Sequence, residues 1–228
     1  KLEQTYRPED IEWIQARSAA FDAGYLLRVD ESVEKNGFKS QLFEAIRSWQ
    51  ELRNSHLLTN SQREKMKDPK NEFHLEKTGS NSWNLYELTL QSNNVHKYRQ
   101  VQTGEPLLSK FVFDNPYDNQ PVQFYGMIKD GGDKTGKISH LKILINGSAT
   151  IEIPAELKEG NKIYSDGKNI YVCDNNWYTL LKYPCTSSAL WSKGKNQVSV
   201  QCDFSSPNAP VVDLEFKALG NKEQITGK

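Results

Sequence analysis

Between residues 174 and 191 the chain gathers Asp174, Asn175, Asn176, Trp177, Tyr178, Tyr183 and Trp191, short amides and carboxylates interleaved with large rings. An aromatic face stacks on the apolar C–H face of a sugar while amides and carboxylates bond its hydroxyls. This mixture is therefore the chemistry of carbohydrate recognition. A second use competes for the same rings: large aromatics bury well, and Trp177 or Trp191 would serve equally to cap a β-sandwich core.

Other constellations say less. His56, His74, His96 and His140 have no i,i+4 spacing to one another or to a cysteine, so the sequence points to no zinc site. There is no G-x-S-x-G and no P-loop. The glycine-rich 130-DGGDKTGK-137 runs into alternating residues rather than a helix, which makes it a connecting loop and not a phosphate cradle. Asn146-Gly147-Ser148 is a glycosylation sequon, but a hairpin turn already explains the Asn and the Gly. Among loops rich in oxygen atoms, 114-DNPYDNQ-120 could hold a structural calcium, and ordinary turn chemistry explains it as well. No other cofactor is indicated. Glycosidic cleavage needs paired carboxylates. Asp30 and Glu31 are the one acidic pair in a suggestive position, just after an apolar segment, and a solvated turn is the plainer account of them.

The elements that must position these residues change type along the chain. Pro8 begins a helix over 8–23, with Glu9 and Asp10 in its first turn and Gly24 as its stop. The strand-like 25-YLLRV-29 follows. A second helix over 38–54 carries Phe38, Leu42, Ala45, Ile46, Trp49 and Leu52 in one stripe. A short third helix has capping-box spacing at Thr59/Gln62 and at Ser61/Glu64, and ends at Asp68-Pro69. From Trp83 the period becomes two. Asn146-Gly147 and Asp166-Gly167 predict two-residue hairpins, and strands ending on Phe204 and Phe216 close an antiparallel two-sheet sandwich. The fold class is thus α+β: two to three N-terminal helices packed on a C-terminal β-sandwich. The expected bounds are 1–76 for the helical segment, 77–220 for the sandwich and 221–228 for a frayed tail, with the switch inside 70–82.

Lys plus Arg and Asp plus Glu balance at 29 each, which leaves no basic field for nucleic acid or an anionic membrane. No run is long enough to span a membrane as a helix. Apolar residues make up 36%, a small share that suits a small-cored module with a wide solvated surface. Cys173, Cys185 and Cys202 form no C-x-x-C pair, so they are read as three buried thiols or as one disulfide and a free thiol. The chain begins at Lys1, which suggests a removed signal or a piece of something longer.

The wording 12-EWIQARSAAFDAGYLLRV-29, 46-IRSWQELR-53 and 72-EFHLE-76 resembles the C-terminal end of bacterial polysaccharide-degrading glycoside hydrolases. In these a (β/α)8 barrel is followed by a galactose-binding-like or jelly-roll sandwich. The segments 104-GEPLLSKFVF-113, 141-LKILING-147 and 151-IEIPAEL-157 resemble that accessory sandwich. The resemblance matches no catalytic motif. It implies that 25–29 is the eighth barrel strand and that Arg28, Asp30 and Glu31 stand at the rim of the parent's active site. It further implies a secreted, periplasmic or cell-surface protein. Its partners would be carbohydrate or the catalytic domain of the same protein, and the isolated chain would have no hydrolase activity. Two alternatives stand beside this: a structural sandwich that braces a barrel without a ligand, and a self-contained carbohydrate-active hydrolase.

Overall fold

The computed structural model describes residues 6–26, 28–29, 31–185 and 189–227, and these form two compact units. The first holds the described residues up to Thr89, together with Asn176–Tyr178 and those from Leu219 onward; the second holds Leu90–Asn175 and Thr179–Ala218.

In the first unit, α1 (Pro8–Phe21), α2 (Glu31–Glu34), α3 (Lys39–Ser55) and α4 (Asn60–Lys67) precede β1 (Glu72–Gly79) and the start of β2 (Ser82–His96). The α1 start follows from Pro8 and from Asp10, whose carboxylate accepts the Arg7 N–H at 2.8 Å. Its stop is Asp22 at φ 50°, not Gly24. A short acidic side chain tolerates the left-handed region well enough to end a helix two residues early. The α3 stripe is as expected, with Leu42, Ala45, Trp49 and Leu52 buried. Of the two capping boxes, Thr59 and Gln62 form the real one, with reciprocal bonds of 3.2 and 3.0 Å.

Ala16, Ala19, Trp49, Leu52, Met66, Phe73, Leu75, Trp83, Leu85 and Ile225 make this unit's core. Glu12, only 2% exposed, lies among them and is held by three donors: Trp49 Nε1 at 3.2 Å, the Leu75 N–H at 2.9 Å and His74 Nδ1 at 2.9 Å. Such saturation is what lets a carboxylate stay buried. Two expectations need correcting. The β1–β2 hairpin packs with the helices, because Phe73, Leu75, Trp83 and Leu85 complete their core, so the change of period near residue 75 is not the unit boundary. Nor is 221–228 a frayed tail: Glu223–Thr226 pairs with β2, and Ile225, opposite Trp83, is buried.

The strand expected over 25–29 does not form among the described residues. Tyr25, Leu26, Arg28 and Val29 lie outside any helix or strand, with Leu26 97% exposed, while Leu27 falls outside the described residues. Every pairing with a described register is antiparallel, and none of these registers includes a residue of 25–29.

The second unit contains the remainder of β2, then β3 (Leu108–Asn115), β4 (Gln120–Pro121), β5 (Gln123–Lys129), β6 (Lys137–Ile145), β7 (Ala149–Ile153) and β8 (Leu157–Lys158). After these come β9 (Lys162–Asp166), β10 (Asn169–Cys173), β11 (Thr179–Pro184), β12 (Leu190–Trp191), β13 (Gly194–Phe204) and β14 (Val211–Leu219). One sheet runs β2, β14, β5, β9, β10, β11; the other runs β3, β13, β6, β7, with β8 against β6. Their apolar faces meet in one core. Phe124, Ile163, Val172, Leu214 and Phe216 come from the first sheet, and Ile143, Ile151, Val198 and Val200 from the second. This is an antiparallel β-sandwich. At Gly126 a Cβ would stand 2.6 Å from Ile163 Cγ1, so only glycine fits that position in β5.

Asn146 and Gly147 take φ 52° and 69°, as a hairpin turn requires. The connection is nonetheless three residues and not two: Ile145 pairs with Ala149, and Ser148 is the extra residue. The Asn146 side chain is committed to this corner, accepting the Gln197 N–H at 2.8 Å and bonding Asn196 Oδ1 at 3.0 Å.

Candidate functional site

The fold separates the aromatic–amide cluster that is contiguous in sequence. Trp191 is fully buried in the sandwich core, its ring 4.6 Å from Phe113 and 5.5 Å from Phe216, with Nε1 donating to the Lys217 carbonyl at 3.0 Å. Tyr183, half-buried, packs against the same core. Asp174 and Asn175 follow β10 in the second unit, half-buried and exposed respectively. Asn176, Trp177 and Tyr178 belong to the first unit. There Trp177 is 3% exposed, at φ 66°, with its ring 5.3 Å from Phe38. The Asn176 carbonyl accepts the Gly37 N–H at 2.8 Å. A Cβ at Gly37 would sit 2.1 Å from the Trp177 carbonyl oxygen. Both tryptophans thus direct their rings inward, where no sugar can stack, while Tyr178 keeps an exposed ring.

The rim candidates fare similarly. Arg28 is exposed, Glu31 opens the single turn of α2 and pairs with Lys35, and Asp30 lies outside the described residues. In the 114–120 loop, Asn115 Oδ1 accepts the Tyr117 N–H at 3.1 Å, Asn119 Oδ1 accepts the Lys193 N–H at 2.9 Å, and Asp118 meets Lys193 Nζ at 3.2 Å. These oxygens close a loop. Among the described residues no group of three or more His, Cys, Asp or Glu side chains is gathered for a metal.

A different site emerges where β6 and β13 fall out of step. Gln201 pairs with Lys142, but Asp203 pairs with Ser139, so β6 sets His140 and Leu141 against Cys202 alone. The bulge puts His140 at φ 49°, a conformation few non-glycine residues adopt, and turns its ring toward Asp203. Nδ1 lies 2.8 Å from Asp203 Oδ2. Beside this pair opens a cleft of about 370 Å³ lined by Leu107, His140, Lys142, Gln201, Cys202 and Asp203. Lys142 and Gln201 stand side by side as paired residues, and Lys142 Nζ is also 3.5 Å from Glu152.

The lining has one ammonium, one carboxylate, an amide, an imidazole, a thiol and an apolar wall. Donors and acceptors are mixed and the charges balance, which suits a neutral ligand rich in hydroxyls. Burial, and after it the charge of Asp203, pushes the Cys202 thiol up to about 12. It is protonated at neutral pH and is no nucleophile, despite sharing the cleft with a His–Asp pair. Asp203 is the one carboxylate among the lining residues, so the cleft does not present the two that glycosidic hydrolysis uses.

Leu107 comes from the loop that joins β2 to β3. At the base of that loop His96 is fully buried, with Nδ1 2.9 Å from Ser109 Oγ and its ring 5.2 Å from Phe204. Phe204 in turn meets Tyr98 edge-on at 6.1 Å.

On the other sheet, Tyr125, Tyr164, Tyr171 and Lys182 are consecutive cross-strand partners. The Tyr164 and Tyr171 rings stack at 4.4 Å and 8°, Tyr125 stands 5.9 Å from Tyr164, and Lys217 and Lys182 lie over the two ends at 6.0 and 5.3 Å. Cross-strand ring pairs and cation–π contacts of this kind stabilise a sheet. They also occupy the ring faces, so the row offers edges and hydroxyls, not a stacking platform. Burial raises the Tyr164 phenol above its ordinary value.

Sequence reasoning found neither the cleft nor the ladder. His140 and Asp203 are 63 positions apart, and the tyrosines come from three strands. The one local signal is a break of phase: Leu141, Ile143 and Ile145 alternate, and Ile138 lies three residues before Leu141, out of step with them. No family model matches this chain, and no curated protein matches it. Among solved structures, the CBM35 from Cellvibrio japonicus Abf62 matches 61% of this chain and 98% of its own, at 12% identity and a TM-score of 0.27, a likeness too slight to bear on function.

Proposed function

We propose that the second unit is a non-catalytic carbohydrate-binding sandwich whose ligand occupies the cleft beside the β6–β13 bulge. One observation carries this reading. His140 is held in a left-handed conformation next to Asp203, at a bulge that interrupts the β6–β13 ladder, and strained backbone of this kind concentrates at functional sites. The balanced, hydrogen-bonding lining fits sugar hydroxyls, and its buried neutral thiol and single carboxylate argue against turnover.

The wider assignment extends the same reading. The chain would be the C-terminal region of a secreted, periplasmic or cell-surface bacterial glycoside hydrolase, with a sandwich of jelly-roll or galactose-binding-like type. The helices of 1–76 would then be a remnant of the catalytic domain. Its support is the wording of 12–29 and 46–53, and Leu26, an apolar side chain at 97% exposure that a neighbouring catalytic domain would cover. The cluster Asp174, Asn175, Asn176 and Tyr178 would at most contribute a secondary contact through the exposed Tyr178 ring.

The second reading, a bracing sandwich without ligand, is favoured by the inward rings of Trp177 and Trp191. Calorimetric titration of the chain with a panel of neutral and acidic oligosaccharides separates the two. Binding to one glycan class, weakened at least tenfold in Asp203→Ala, supports the cleft. No heat with any glycan supports bracing, and release of reducing ends by the chain alone would sink both.

A further inference from the structure

The loop over residues 97–107 leaves β2 directly after His96 and rejoins the sandwich at Leu108. Its internal bonds are local: Arg99 to Glu105 at 2.8 Å, and the Glu105 N–H to the Gln102 carbonyl at 2.9 Å. Its base is fastened differently. The His96 ring, with 0% exposure, reaches across to Ser109 of β3 and lies under Phe204 of β13. Among the described residues its Nε2 is buried with no hydrogen-bond partner. A neutral imidazole tolerates that pocket, but an imidazolium needs an acceptor for its second N–H and finds none.

We propose that His96 is an acid-sensitive latch: protonation expels its ring from beneath Phe204, frees residues 97–107 and withdraws Leu107 from the cleft wall. The groups that act on the ring are the Ser109 hydroxyl from β3, Phe204 from β13, and Arg99 from the loop. Only Arg99 is charged, and it repels a protonated ring. The carboxylate of Asp203, beside Phe204 in β13, bonds His140, and that of Glu105, in the loop, bonds Arg99.

Burial first, and Arg99 second, hold His96 down to about 4, below the ordinary value near 6.5. The folded value is the lower one, so the closed loop is fully stable above about pH 6.5 and loses stability as pH falls toward 4. A gap of that size corresponds to about a 300-fold change in the ratio of open to closed loop once both values are passed.

Hydrogen exchange of the full chain at pH 7.5 and 4.5, corrected for intrinsic exchange rates, tests this. The Glu105 and Leu108 amides should lose roughly 50- to 100-fold of their protection at pH 4.5, while β6 and β7 keep theirs, and His96→Phe should abolish the difference. Unchanged protection in wild type, or the same loss in His96→Phe, overturns the latch. Should the variant not fold, the wild-type imidazole titration decides. A midpoint near 4, shared by the loop signals, supports the latch, and a midpoint near 6.5 overturns it. Loop opening is read without ligand, so its failure leaves the carbohydrate reading untouched; only the accompanying loss of affinity in acid rests on that reading.

Discussion

His140 Nδ1 stands 2.8 Å from Asp203 Oδ2 because β6 carries two residues where β13 carries one, and the bulge turns the imidazole toward the carboxylate. If the conformation is retained for binding, the fold should be better off without it. His140→Gly is expected to raise stability by up to about 1 kcal/mol, since glycine removes the left-handed penalty. The same change should weaken glycan affinity severalfold. Urea denaturation paired with calorimetry reads both. A variant that is destabilised by more than about 1 kcal/mol would show that the histidine serves the fold instead.

Trp191 should behave as a core residue and not as a ligand platform. With no exposed surface and rings of Phe113 and Phe216 against it, Trp191→Ala is expected to cost about 3–5 kcal/mol. Denaturant melts followed by circular dichroism would check it. A near-neutral variant that loses glycan binding would restore Trp191 to the binding surface.

The three cysteines differ in access. Burial pushes the Cys173 thiol up to about 11 and the Cys202 thiol up to about 12, whereas Cys185 is half-buried. Treated with a disulfide reagent at pH 8, the native chain should lose Cys185 first, with Cys173 and Cys202 reacting only on unfolding. Rapid modification of Cys202 would mean that the cleft floor is open and its thiol activated.

Periodicity made much of this molecule legible. The α3 stripe of Leu42, Trp49 and Leu52, the Thr59–Gln62 cap and the alternation of β13 and β14 are local signals, and the fold uses them as written. What periodicity could not reveal was partnership. Ile225 looked like tail because its partner Trp83 is some 140 positions away, and 25-YLLRV-29 looked like a strand although its described residues lie outside any strand. The candidate site shows the same divide. Clustering in sequence drew attention to Trp177, Tyr178 and Trp191, yet the chain sends those rings to different places, two of them into cores. The cleft depends on a register slip and a positive φ at His140; histidine is enriched there among non-glycine residues, but its type alone does not say that His140 sits in a bulge between two strands.

The most direct test is to locate a bound glycan by amide chemical-shift mapping on isotopically labelled chain, using whichever oligosaccharide calorimetry identifies. The account predicts that the largest perturbations fall on Leu107, His140, Lys142, Gln201 and Asp203, and that they vanish in Asp203→Ala while the rest of the spectrum is preserved. Perturbations centred on Tyr178 and β11, with the bulge residues unmoved, would contradict it.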